Sequence, residues 1–236
     1  SQGLLQALYE YQAVVQSLTG LHVATCGHYD GATALAEAVL MTFKKSPGRK
    51  HVLMQSAISA GAQAVLKTYC FAAGAICHVF DCVEKLKGLL SNFQNEVASI
   101  VLELPGTFTL HDDFESCARA AKEFPQVHLI ATGHPYGLSE LNFDVSDLVD
   151  IVACEGQPLG MHMFAGGAHL GMIASSNEFK PYLPGRLVGR VTDIHGSPAF
   201  ALVYEDREQH VARDKATSNI CSNQALNALR ACIFFK

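Results

Sequence analysis

From residue 51 to residue 174 the chain repeats one pattern: a short run of consecutive apolar residues, a break, then a longer amphipathic stretch. Runs at 51–55, 75–80, 97–104, 127–131, 148–153 and 171–174 read as strands. They are apolar on successive residues, not on alternate ones, so both faces of each strand must be covered. Between them, 60–73, 83–93 and 112–124 carry apolar residues at helical spacing. Strands buried on both faces and alternating with helices predict an α/β fold, a mostly parallel sheet with helices on both faces.

The flanks fit the same scheme. Leu4, Leu5, Leu8, Tyr11, Val15 and Leu18 mark a first helix that Gly20 is placed to end. Asp30 is placed to cap a second helix over 31–45, stopped by Pro47-Gly48. Beyond Pro184-Gly185 the pattern changes to a β-hairpin, 187–193 and 198–204, turning at His195-Gly196. A last helix starts near residue 223. With 49% hydrophobic and 17% charged residues the chain supplies a large core and little charge to cover it. The net charge of -5 and the lack of a basic run argue against nucleic acid and anionic lipid as partners. No stretch has the length of apolar sequence that a membrane span needs. Eight cysteines, none in C-x-x-C spacing, read as buried reduced thiols of a cytoplasmic protein, and the scattered histidines give no metal cluster.

A parallel sheet of this kind binds ligands at the carboxyl ends of its strands. Neither G-x-G-x-x-G after an early strand nor G-x-x-x-x-G-K-[ST] is present, and there is no G-x-S-x-G elbow. The helix start at 27–31 is a possible anion seat, compromised by Asp30, or else an ordinary Asp cap. His134-Pro135 follows a strand end, as a ligand-facing residue or as a loop histidine. Lys180 and Lys215 lie in polar segments, unlike a desolvated Schiff-base lysine. The glycine-rich, charge-poor segment 153–171 permits close backbone approach, to a ligand or another chain, with Gln157 at its centre.

Several stretches together resemble the glycine cleavage system P-protein family, glycine dehydrogenase (decarboxylating). They include Tyr29-Asp30-Gly31-Ala32-Thr33, Glu155-Gly156-Gln157-Pro158-Leu159-Gly160, Leu183-Pro184-Gly185-Arg186-Leu187 and Arg207-Glu208-Gln209-His210. The longest is Lys215-Ala216-Thr217-Ser218-Asn219-Ile220-Cys221-Ser222-Asn223-Gln224-Ala225-Leu226. The match is to subunit 1, the α chain, or to the N-terminal half of the single-chain form. It implies the large domain of the pyridoxal-phosphate (PLP) transferase fold type I, over residues 1–236 as a single domain. The family's N-terminal segment and C-terminal small domain would then be absent.

The resemblance also implies an assembly of two α and two β chains. The β subunit carries PLP on a lysine, decarboxylates glycine and passes the aminomethyl group to the lipoyl H-protein. Gln157 falls at the position of that lysine, and an amide cannot form the imine. The chain alone is then expected to be inactive, with no catalytic residue, no cofactor and no metal of its own. His134, Ser59 and Gly106 depart from the family pattern. Thr217, Ser218 and Asn219 resemble a segment that reaches the partner's PLP phosphate; otherwise Thr217 and Asn219 cap the last helix. Tyr29 and Asp30 match a segment at the mouth of the partner's active site. The expected role is a non-catalytic α subunit that supports the β subunit. The alternative is a degenerate PLP-fold binding or scaffold protein outside glycine cleavage.

Overall fold

The computed structural model describes residues 1–106, 109–204, 211–212, 216, 218 and 224–236. The chain opens with α1 (Gln2–Thr19), ended by Gly20 in the left-handed conformation at φ 66°. There follow β1 (Val23–Ala24), α2 (Gly31–Lys45), β2 (His51–Gln55), α3 (Ala60–Ala72), β3 (Ile76–Phe80), α4 (Val83–Phe93), β4 (Val97–Glu103) and α5 (His111–Lys122). Then come β5 (His128–Gly133), β6 (Ile151–Glu155), β7 (Gly171–Ser175), β8 (Leu187–Thr192), β9 (Pro198–Val203) and α6 (Ala225–Phe234).

Seven strands make one sheet in the order β1-β7-β6-β5-β4-β2-β3. The run from β3 to β6 is parallel; β7 is antiparallel to both β6 and β1. The apolar runs dictate this placement. β2 is buried at every position and β4 at all but its last, so helices must cover both faces. One core layer joins α2 and α3 to Val52, Met54, Val101, Ile130 and Ile173. The other joins α1, α4, α5 and α6 to Leu53, Ile100, Leu102, Leu129 and Val152. This is the expected α/β class.

Element ends differ in places from the sequence expectation. β6 starts at Ile151, not residue 148, because Val145–Asp147 forms a short helical turn. Asp144 caps that turn, its carboxylate accepting from Ser146 N at 3.0 Å. β1, two residues long, was not expected; it pairs Val23 with Ser175 and Ala24 with Ala174. The hairpin β8–β9 stands outside the sheet and packs on α1. Gln12, 2% exposed, fixes it there. Its amide donates to Val188 O at 2.9 Å and accepts from Val188 N at 2.8 Å. All the described cysteines are free; Cys82 is exposed and Cys77 partly so, against the expectation of uniform burial. No helix among the described residues is long and apolar enough to cross a membrane.

Candidate functional site

A cavity of about 500 Å³ opens where the carboxyl ends of β4, β5 and β6 meet the starts of α2 and α3. Asp30, Ser59, Glu103, Thr132, His134 and Glu155 are among the residues lining it. This is where a parallel sheet places its ligands, because the loops after successive strands diverge there.

Its electrostatics are set by three carboxyl groups in different circumstances. Asp30 caps α2 from an extended backbone, and its carboxylate accepts from Thr33 N at 2.7 Å. Thr33 returns the bond by accepting from Asp30 N at 3.2 Å, completing a capping box. Glu155 takes Gly31 N at 2.9 Å on one oxygen, and Gln157 N and Leu170 N, both at 2.9 Å, on the other. His169 Nδ1 lies 3.3 Å from the first oxygen. Two free N–H groups of the α2 N-terminus are thereby filled by the chain's own carboxylates. Gly31 is required for this, since a Cβ there would stand 2.7 Å from Glu155 N.

Glu103, the last residue of β4, differs. No side-chain hydrogen bond holds its carboxyl among the described residues, and burial raises its pKa to about 7. Its backbone N–H donates to Gln55 Oε1 at 2.9 Å. Thr132 is its register partner on β5, so both side chains leave the sheet on the same face. Thr132 is 5% exposed, lines the cavity, and has no hydroxyl partner among the described residues. Neither residue stood out in the sequence. Their signal was position alone, the polar end of an apolar strand just before a turn.

The residues singled out from sequence divide. Ser59 caps α3, its hydroxyl accepting from Ala62 N at 3.3 Å, and lines the cavity. His134, directly after β5, lines it too; its Nδ1 accepts from Tyr136 N at 3.3 Å. His134 also borders a second cavity of about 620 Å³, where Gly106 lies. Gln157 is not among the lining residues. Its amide donates to Gly166 O at 2.9 Å and Ala168 O at 3.2 Å, within its own loop. The glycines of that loop admit neighbours from the same chain: Gly156 lies against Leu170 O and Gly160 against Phe234. Tyr29 is half exposed, its carbonyl accepting from Gln224 at 3.2 Å. Ser218, buried, donates to Glu37 Oε1 of α2 at 2.6 Å. Thr217, Asn219 and Lys215 lie outside the described residues. Lys180 stands 5.1 Å from the Tyr204 ring centroid. No cluster of metal-ligating side chains occurs among the described residues.

The family model described as glycine cleavage system P-protein matches residues 1–236. A probable glycine dehydrogenase (decarboxylating) subunit 1 from Chlorobium luteolum is 41% identical, over 99% of this chain and 53% of its own length. The chain thus spans about half the length of the curated relatives it matches. A crystal structure of glycine decarboxylase (P-protein) of the glycine cleavage system, in inhibitor-bound form, superposes with a TM-score of 0.83. It is 32% identical and covers 100% of this chain and 53% of that one. Cystathionine gamma-lyase from yeast, 18% identical, aligns over 72% of this chain and 42% of its own with a TM-score of 0.55, a likeness of fold alone. The sheet and its covering helices are those of the PLP-dependent fold type I. Matched along its whole length by one family model, the chain belongs to the glycine cleavage system P-protein family.

Proposed function

We propose that this chain acts as a catalytically silent α subunit of glycine decarboxylase, holding in shape a β subunit that carries PLP and decarboxylates glycine. In this role it also helps to dock the lipoyl H-protein, in an assembly of two α and two β chains. The observation that carries the reading is Gln157. It stands in a family-like loop, it has no amine, and its amide is spent on Gly166 O and Ala168 O. Imine formation needs a nucleophilic amine facing the cofactor, and here the side chain is neither basic nor turned to the cavity.

The rest of the cavity does not suit PLP. A phosphate bound at a helix start needs free N–H groups, and at α2 those of Gly31 and Thr33 go to Glu155 and Asp30. Two carboxylates would also oppose a phosphate. No step is therefore assigned to PLP in this chain. Tyr29 and the segment around Ser218 are assigned to the partner's active-site mouth and phosphate on resemblance alone.

Co-expression with a β subunit tests the role. Co-purification, with glycine–bicarbonate exchange that needs both chains, is the expected result. No complex and no exchange would favour a scaffold protein outside glycine cleavage. Treatment of the chain alone with PLP and borohydride is expected to leave it unlabelled at the cavity.

A further inference from the structure

The cavity at the carboxyl ends of β4 and β5 has a charge pattern of its own. Asp30 and Glu155 line it with their carboxylates already engaged by backbone N–H groups. Glu103 brings a third carboxyl with no hydrogen-bond partner among the described residues, and Thr132 beside it brings an unpartnered hydroxyl. Thr132 is 95% buried, since its exposure is 5%. A polar side chain so buried is normally satisfied, and one left open toward a cavity awaits a donor or acceptor from whatever enters. Ile58, Ala62 and Val65 of the same lining add apolar surface. Among the described residues no lysine or arginine lines the cavity.

We propose that this cavity is a binding site for a small organic cation, a primary alkylammonium held by the Glu103 carboxylate and the Thr132 hydroxyl, with its alkyl chain on Ile58, Ala62 and Val65. An ammonium offers three N–H donors and no acceptor, which matches an anionic and a hydroxyl oxygen side by side on adjacent strands, about 4.8 Å apart. The carboxylates of Asp30 and Glu155 add favourable potential without needing to move. The same arrangement disfavours an anion. This site belongs to the chain itself and does not depend on assembly with a β subunit.

Binding is linked to the ionisation of Glu103. The titratable groups that face this carboxyl across the cavity are Asp30, Glu155, His134 and His169, with Cys154 behind it in the sheet. Of these the two carboxylates oppose its ionisation and a protonated imidazole would favour it. A cation adds to the favourable side. With a carboxyl that titrates near neutrality, affinity is expected to rise about tenfold from about pH 6 to about pH 8.

The test is calorimetric titration of the full chain with n-butylammonium chloride at fixed ionic strength, with inorganic phosphate and PLP titrated in parallel. The expected result is one saturable ammonium site per chain, and none for either anion at this cavity. Glu103→Gln should weaken binding about tenfold or more and flatten its pH dependence. Thr132→Val should weaken it several-fold while leaving the pH dependence in place. Near-ultraviolet circular dichroism establishes that each variant is folded, and if one is not, the other carries the test. Absence of saturable ammonium binding, equal affinity in the folded variants, or phosphate or PLP displacing n-butylammonium would overturn the proposal. Formation or failure of a complex with a β subunit leaves each of these readings unchanged.

Discussion

Two glutamates at the ends of the strands that flank β5 show how far one residue type depends on what surrounds it. Glu155 accepts three backbone N–H groups, from Gly31, Gln157 and Leu170. It ties the start of α2 to the loop after β6. Glu155→Gln keeps the shape but turns an NH₂ toward at least one of those donors. Leaving a buried donor unmatched costs about 1–3 kcal/mol, so the variant is expected to lose about 2 kcal/mol in urea denaturation. A loss below about 0.5 kcal/mol would show that the loop is held by other means. Glu103 has the opposite environment. Its folded pKa, about 7, lies above the usual carboxylate value because burial disfavours the charged form. Between the unfolded pKa of about 4.3 and the folded one, the native state holds more protons, so this group lowers stability as pH rises through that window and is level above it. At about 1.4 kcal/mol per pH unit across that window the full effect is nearly ~4 kcal/mol. Glu103→Gln is therefore expected to match the parent near pH 4 and exceed it by about 3–4 kcal/mol at pH 8. A stability difference that does not change with pH would contradict this.

At the scale of elements, two junctions hold the fold's separate parts. The first is the α2 N-terminus, where the backbone at the end of β6 passes so close that a Cβ on Gly31 would meet Glu155 N at 2.7 Å and its Cβ at 2.8 Å. Backbone cannot retreat as a flexible side chain does. Gly31→Ala should cost more than about 2 kcal/mol, beyond the ~1 kcal/mol expected for removing the Asp30 cap by Asp30→Ala. If the two losses come out equal, the close approach carries no weight. The second junction is Gln12, through which α1 holds the hairpin. Gln12→Ala strands the N–H and C=O of Val188 and removes the acceptor of the Cys26 thiol, which lies 2.8 Å from Gln12 Oε1. Amide hydrogen exchange should then accelerate across β8 and β9 while β4 and β5, at the centre of the sheet, stay protected. Equal acceleration in both regions would mean that the hairpin and the sheet open together.

The architecture of the whole molecule was legible because its strands are buried on both faces. Runs such as Val97 to Leu102, too short for a helix and alternating with amphipathic stretches, fit a covered sheet, and Gly20, Pro47-Gly48 and Asp30 marked helix ends from local chemistry. β1 escaped because two residues carry no period; it exists through its pairing with β7. The site was legible in part. The position of Gln157 could be read, but not the direction of its side chain, which depends on the carbonyls of Gly166 and Ala168. Glu103 and Thr132 looked like ordinary strand ends, and the register of β4 on β5 alone brings them together. Both halves of the site reading meet in one measurement on the intact chain, thermal unfolding with ligand. A ligand that binds the native state raises stability by RT ln(1 + [L]/Kd), about 1.4 kcal/mol at about ten times Kd. For a chain of this size that is an increase of about 3–6 °C in Tm. Carboxylates at the α2 N-terminus and an open carboxyl on β4 mean that n-butylammonium should produce such a rise at about pH 8, while PLP should produce none. A rise with PLP that survives blocking of the surface lysines would mean that the cavity keeps a seat for the cofactor despite Gln157, Asp30 and Glu155.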